Sequence, residues 1–99
     1  MITIILPIRN EVKYIKQTLK SILNQNNINQ VVEILIADGM SDDGTREIIK
    51  DYIQNNSNIQ LIDNPEKIVS TGFNRALSIS EGDIIIRVDG HSEISRNFI

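Results

Sequence analysis

Four runs of unbroken apolar, largely β-branched residues recur along this chain, separated by segments with helical spacing. That alternation limits the fold more than any other feature. Ile2-Thr3-Ile4-Ile5-Leu6 is the first run, and Pro7 is expected to end it. Apolarity on both sides of a strand marks burial on both faces, the habit of a parallel sheet. Val31 to Ala37 repeats the pattern, Ile59 to Ile62 gives a shorter version, and Asp83 to Val88 carries Ile84-Ile85-Ile86. Between the first two runs, Val12, Ile15, Leu19, Ile22 and Leu23 form one apolar stripe, with Asn10 as the expected N-cap and Glu11 and Val12 opening the helix. Ser41 or Asp42 is placed to cap a second helix that carries Ile48, Ile49, Tyr52 and Ile53. A third is predicted over Val69–Ile79, using Phe73, Ala76 and Leu77, and Glu81-Gly82 ends it.

Strand and helix alternating in this way call for right-handed crossovers and a parallel sheet. The expected fold is α/β and Rossmann-like, with strand order 3-2-1-4 and helices on both faces. Ligands of such open sheets bind where the order reverses, between the carboxyl ends of strands one and four. Pro7-Ile8-Arg9-Asn10-Glu11 and Asp89-Gly90-His91 leave those two ends, and Asp38 leaves the adjacent second strand. Charged residues therefore collect at one rim.

Composition narrows the function classes. The 99 residues support one domain with a modest core. A net charge of −3 with 4% aromatics argues against nucleic acid, which needs a basic surface and stacking platforms. With no cysteine, disulfide scaffolds, thiolate metal sites and cysteine catalysis drop out. No apolar run approaches the roughly 20 residues of a membrane span, and no signal peptide is read at the N-terminus. The expectation is a soluble, intracellular, single-domain protein.

At the rim, Asp89 and His91 stand two apart, so on an extended segment both can reach one divalent ion. A carboxylate and an imidazole suit Mn²⁺ or Mg²⁺ bridged to phosphates; the plainer alternative is a turn-capping Asp beside an exposed His. Asp38-Gly39-Met40-Ser41-Asp42-Asp43-Gly44-Thr45 is too acidic to cradle a phosphate. Asp38 is better suited to a nucleoside, whereas Asp42 and Asp43 read as helix-capping groups. Arg9 and Lys67 are candidates for phosphate or base contacts, and Glu11 for ribose or for a cap. Neither G-x-G-x-x-G nor G-x-x-x-x-G-K-[ST] is present, and no Ser/His/Asp arrangement appears.

Taken together, these residues resemble a family. Pro7-Ile8-Arg9-Asn10-Glu11 resembles the P-x-x-N-E opening of glycosyltransferase family 2, and Asp38 to Thr45 is similar to its D-G-x-S-x-D-G-T signature. Phe73-Asn74, Gly82-Asp83 and the strand into Asp89 are similar to its later A-R-N…G-[DE]-x-I-x-x-x-D-x-D pattern. The resemblance spans the chain in order, and its nearest flavour is the exopolysaccharide branch of succinoglycan-type glucosyltransferases.

The resemblance implies the N-terminal half of a GT-A fold, with residues 1–99 as the donor-binding part of a truncated domain. Pro7 and Arg9 would line the base, Glu11 would sit beside the nucleoside and Asp38 would bond the base. Asp89 and His91 would hold Mn²⁺ or Mg²⁺ at the D-x-D positions. Phe73 stands where many members have Arg, and Lys67 is the candidate replacement. The implied reaction is inverting transfer from a nucleotide-diphosphate sugar, expected to be a UDP-sugar, to an acceptor glycan or lipid-linked sugar. It would occur in the cytoplasm, at the cytoplasmic face of the membrane in a full-length parent. The catalytic base and acceptor subsite of the family lie beyond D-x-D, so the 99 residues alone are expected to be inactive. Pairing of two copies through an exposed fourth strand is expected as well. The alternative is a non-catalytic nucleotide- or sugar-binding module, with a receiver-like signalling domain third.

Overall fold

The computed structural model describes residues 1–99. Its elements are β1 (Ile2–Ile8), α1 (Ile15–Leu23), a short 3₁₀ turn (Ile28–Gln30), β2 (Val31–Asp38), α2 (Thr45–Asn55), β3 (Ile59–Asp63), α3 (Val69–Ile79) and β4 (Ile84–Arg87). The four strands form one parallel sheet in the order β3-β2-β1-β4, as the sequence predicts.

The two faces of the sheet are unequal. Ile4, Leu6, Ile8, Ile34 and Ile36 meet α1 and α2 in a cluster of 13 buried residues. Ile5, Leu35 and Ala37 point the other way and meet Ala76 of α3 in a cluster of four. Ile15, Leu19 and Ile22 of α1 are fully buried and Leu23 is half-buried, but Val12, expected on the same stripe and at the helix start, lies before the helix and is exposed. Burying each such side chain contributes about 1.5–3 kcal/mol, so α1 is held by its packing rather than by its caps.

Three local expectations are corrected. β1 does not stop at Pro7 but runs on to Ile8, pairing Pro7 with Ala37 of β2. Pro7 lies beyond the last β1–β4 pair, Ile5 with Arg87, so its missing N–H removes no rung there. Asn10 does not cap α1, which begins at Ile15 after a turn closed by Tyr14 and Ile15 N–H groups on the Glu11 carbonyl. Its backbone instead takes φ 53° and its side chain accepts the Asp42 N–H at 3.0 Å, tying the β1 loop to the β2 loop. Neither Ser41 nor Asp42 caps α2: Gly44 holds the N-cap at φ 102°, and the Asp43 carboxylate accepts the Thr45 N–H at 3.1 Å. At α1 a long-range partner outcompetes the local cap; at α2 the cap shifts to residues nearer the helix.

Residues after β4 fold back along α1. Asn26 donates its N–H to the Arg96 carbonyl at 2.7 Å, Ile99 donates to the buried Gln25 side chain at 3.0 Å, and Ile94 and Ile99 pack on the larger cluster. The outer edge of β4 stays open, with Ile84 exposed.

Candidate functional site

The loops that leave β1, β2 and β3 each contain a non-glycine residue in the left-handed region: Asn10, Met40 and Lys67, at φ 53°, 59° and 65°. Asn tolerates this conformation, but Met and Lys hold it at a cost of order 1–3 kcal/mol each. Strain of this kind, gathered at the carboxyl ends of neighbouring strands, marks the end of the sheet where a site is built.

On the β2 side, the acidic groups are consumed by the fold. Asp38 and Asp63 are register partners at the ends of β2 and β3, so two carboxylates stand side by side. Arg46 bridges them, with Nη1 2.7 Å from Asp38 and Nη2 2.6 Å from Asp63. The bonds to Asp63 and then Asp38 raise the guanidinium pKa further above its usual value. Asp38 is wholly buried and also accepts the Ser41 N–H and hydroxyl. Arg46 was not singled out from the sequence, yet a signal exists. A base in the first turn of a helix opposes the dipole and calls for an acid nearby.

On the β1/β4 side the groups converge and stay available. A pocket of about 290 Å³ is lined by Pro7, Ile8, Arg9 and Glu11 from the end of β1, by Arg87, Asp89, Gly90 and His91 from the end of β4, and by Val69 of α3. Arg9 spends its Nε–H on the Gly39 carbonyl at 3.0 Å, leaving its terminal nitrogens for a ligand. Asp89 lies 3.6 Å from Arg87, a loose pairing between half-exposed groups. His91 Nδ1 lies 3.4 Å from Glu11 Oε2, and that oxygen is buried with no hydrogen-bond partner.

Gly90 lets the two strand ends meet. A Cβ there would stand 2.5 Å from Ile8 Cγ2 and 3.1 Å from Glu11 Cγ. Gly82, before β4, is equally tight, with a Cβ position 2.6 Å from the Thr3 N and Oγ1 atoms. It lies at the opposite end of the sheet, where Thr3 and Glu33 receive the Gly82 and Glu81 N–H groups. The Gly82-Asp83 match is therefore architectural.

The structure thus brings Pro7, Arg9, Glu11, Asp89 and His91 into one pocket, and leaves Asp38 and Lys67 outside it. Lys67 packs its backbone against Gly39, beside Arg9. The further cation that does reach the pocket is Arg87, whose guanidinium sits 5.9 Å over the Phe73 ring. A charge inside an otherwise apolar strand was its signal in the sequence. A larger groove of about 420 Å³ runs between α1 and α2, but only Lys16 and Asp51 bring charge to it and it is remote from the rim.

Asp89-Gly90-His91 is a turn, closed by the Ser92 N–H on the Asp89 carbonyl, and not the extended segment expected, so strand alternation does not aim the two side chains together. Both still line the one pocket, and a carboxylate and an imidazole are donor types that suit Mg²⁺ or Mn²⁺. No cluster of three His, Asp or Glu side chains is present that could cage an ion unaided.

Comparison with known proteins agrees with this architecture. Residues 3–99 match the family model described as glycosyl transferase family 2. A dolichyl N-acetyl-alpha-D-glucosaminyl phosphate 3-beta-D-2,3-diacetamido-2,3-dideoxy-beta-D-glucuronosyltransferase of Methanococcus voltae is 34% identical over 99% of this chain and 31% of its own length. Succinoglycan biosynthesis protein ExoA of Rhizobium meliloti is 34% identical over 89% of this chain and 27% of its own. Among solved structures, S. aureus TarS 1-349 in complex with UDP superposes with a TM-score of 0.83 at 27% identity, over 97% of this chain and 29% of that one. The chain spans less than a third of the length of each of these relatives. With a GT-A sheet and a family match that runs almost end to end, the chain belongs to glycosyltransferase family 2.

Proposed function

We propose that residues 1–99 are the donor-binding part of an inverting glycosyltransferase, which moves a sugar from a UDP-sugar to an acceptor hydroxyl of a glycan or lipid-linked sugar in polysaccharide assembly. One observation carries this reading: Arg9, Glu11, Arg87, Asp89 and His91 converge at the switch point of a parallel sheet. The relative crystallised with UDP supports uridine as the nucleoside.

In this reading Pro7 and Arg9 wall the base and phosphate side, and Glu11 closes the floor. Arg9 offers free guanidinium nitrogens to a diphosphate, and Arg87, only loosely paired with Asp89, adds a second positive charge. Asp38 shapes the base side through Ser41 and Arg46 rather than through a free carboxylate, with Lys67 held against Gly39 beside it. Asp89 and His91 would hold Mn²⁺ or Mg²⁺, which would supply positive charge to stabilise the leaving diphosphate. This reading assigns no pocket residue as the catalytic base. In the full-length protein the transfer belongs in the cytoplasm, at the membrane face where an acceptor is lipid-linked. No helix here is long and apolar enough to cross a membrane.

The open edge of β4 supports pairing with a second copy. Ile84 and Val88 donate N–H groups inward to Met1 and Ile5, so Ile85 and Arg87 direct theirs outward. Antiparallel pairing centred on Ile85 sets Arg87 opposite the exposed Asp83 of the other copy. Sedimentation should show dimers that Asp83→Arg weakens; a monomer at every concentration contradicts this.

The donor reading is tested by titrating UDP, GDP and ADP into the protein at fixed Mn²⁺. UDP is expected to bind tightest, and equal or absent binding of all three would overturn the assignment.

A further inference from the structure

We propose that Glu11 is a positioning residue for His91. Its carboxylate takes the Nδ1–H of the imidazole and leaves Nε2 to face a divalent cation. This rests on the donor-site reading and assigns Glu11 to the imidazole rather than to the nucleoside.

The geometry points this way from both sides of the pair. Glu11 Oε2 is buried and accepts no hydrogen bond, and an unpartnered buried carboxylate oxygen is costly. His91 is the one ion-pair partner in reach, with Nδ1 at 3.4 Å. The backbone beneath His91 is fixed. The Thr18 hydroxyl donates to the Gly90 carbonyl at 3.0 Å, and the Ser92 N–H closes a turn on the Asp89 carbonyl at 3.1 Å. Only glycine at position 90 lets this turn lie against the Glu11 side chain. Tyr14 meets the imidazole edge to face, its ring centre 6.5 Å away, which limits ring rotation. A neutral imidazole carries one N–H, and a carboxylate beside Nδ1 draws it there, so the Nε2 lone pair is free to ligate. Where the second ligand is His rather than Asp, such a partner sets both the tautomer and the ring angle.

The test uses the 99-residue protein. Imidazole ¹⁵N spectra are recorded without metal at about pH 8, above the usual histidine pKa. Mn²⁺ affinity is measured separately by calorimetry in the presence of UDP. His91 is expected to carry its proton on Nδ1, to keep it in Glu11→Gln, whose amide oxygen can still accept, and to lose that preference in Glu11→Ala. Mn²⁺ affinity is expected to fall about 10- to 100-fold in Glu11→Ala. Glu11→Ala with His91→Ala should bind no worse than His91→Ala alone, because the two act through one contact. An Nε2–H tautomer in the wild type overturns the proposal. So do losses that multiply in the double variant, which would mean that Glu11 touches the ion or nucleoside itself. An Nδ1–H tautomer in a protein that binds neither Mn²⁺ nor UDP separates the two claims: the cation role falls with the donor reading, and the Glu11–His91 pair stands.

Discussion

Asp38 and Asp89 both leave the carboxyl end of a strand in the same sheet, and both fall in acidic motifs, yet they are built for opposite ends. Asp38 has no exposed side-chain surface and is bound by Ser41 and Arg46, with the guanidinium at 2.7 Å. Asp89 is half exposed, and its one partner is Arg87 at 3.6 Å. The first carboxylate is committed to the fold, whereas the second is left open to solvent, as the proposed cation site requires. A carboxylate at the right place in a motif tells only where a charge will be; the neighbours decide whether that charge holds the loop or waits for a cation.

The contrast can be broken most directly at Asp38. Asp38→Ala leaves Arg46 with one acid instead of two and strips the Ser41 N–H and hydroxyl of their acceptor, and each buried donor left without a partner costs about 1–3 kcal/mol. Urea unfolding should show it. An Asp38→Ala protein of normal stability that no longer binds UDP would reverse the roles of the two aspartates.

Gly90→Ala comes next. The added Cβ must displace the stiff side chain of Ile8, an overpacking cost of about 1–3 kcal/mol, and it pushes the Asp89–His91 turn away from Glu11. Lower stability with weaker Mn²⁺ binding is expected. Unchanged stability would mean that the two strand ends do not meet as described.

A smaller effect sharpens the β2 side. Burial pushes the Asp43 carboxyl up, but hydrogen bonds from the Thr45 side chain and backbone and from the Val12 N–H outweigh it, so the pKa lies below the ordinary 3.8. A depressed folded pKa adds stability that is fully present above the ordinary value and fades as pH falls through the folded one. Wild type should therefore lose stability faster than Asp43→Asn as the pH drops below about 4. Parallel urea midpoints for the two proteins across that range would contradict the capping role. Asp89→Ala should have the smallest effect on folding, within about 0.5 kcal/mol, as for an exposed side chain with a loose partner.

Much of this was readable in the sequence. The unbroken apolar runs pointed to a parallel sheet, because a strand covered on both faces has little choice but one, and the order 3-2-1-4 expected of a Rossmann-like arrangement is the one found. Val69–Ile79 is helical over the predicted range. Pro7, Arg9, Glu11, Asp89 and His91 could be grouped because strand ends in such a sheet share one rim. The illegible parts all depend on contacts across the chain. Asn10 serves Asp42, some 30 residues away, instead of its own helix. Asp38 is claimed by a guanidinium from the next helix, and the orphan oxygen of Glu11 appears only once β4 has placed His91 beside it. Local propensity cannot weigh partners that folding alone brings together.

In the proposed donor site the β1/β4 rim, and not the Asp38 loop, holds the ligand. Calorimetric titration of UDP with and without Mn²⁺, into wild type and Asp89→Ala, tests it most directly. Metal-dependent binding is expected in the wild type, and its loss in an Asp89→Ala protein that unfolds at the same urea concentration. Binding that survives in Asp89→Ala, or that is indifferent to Mn²⁺, would contradict that placement.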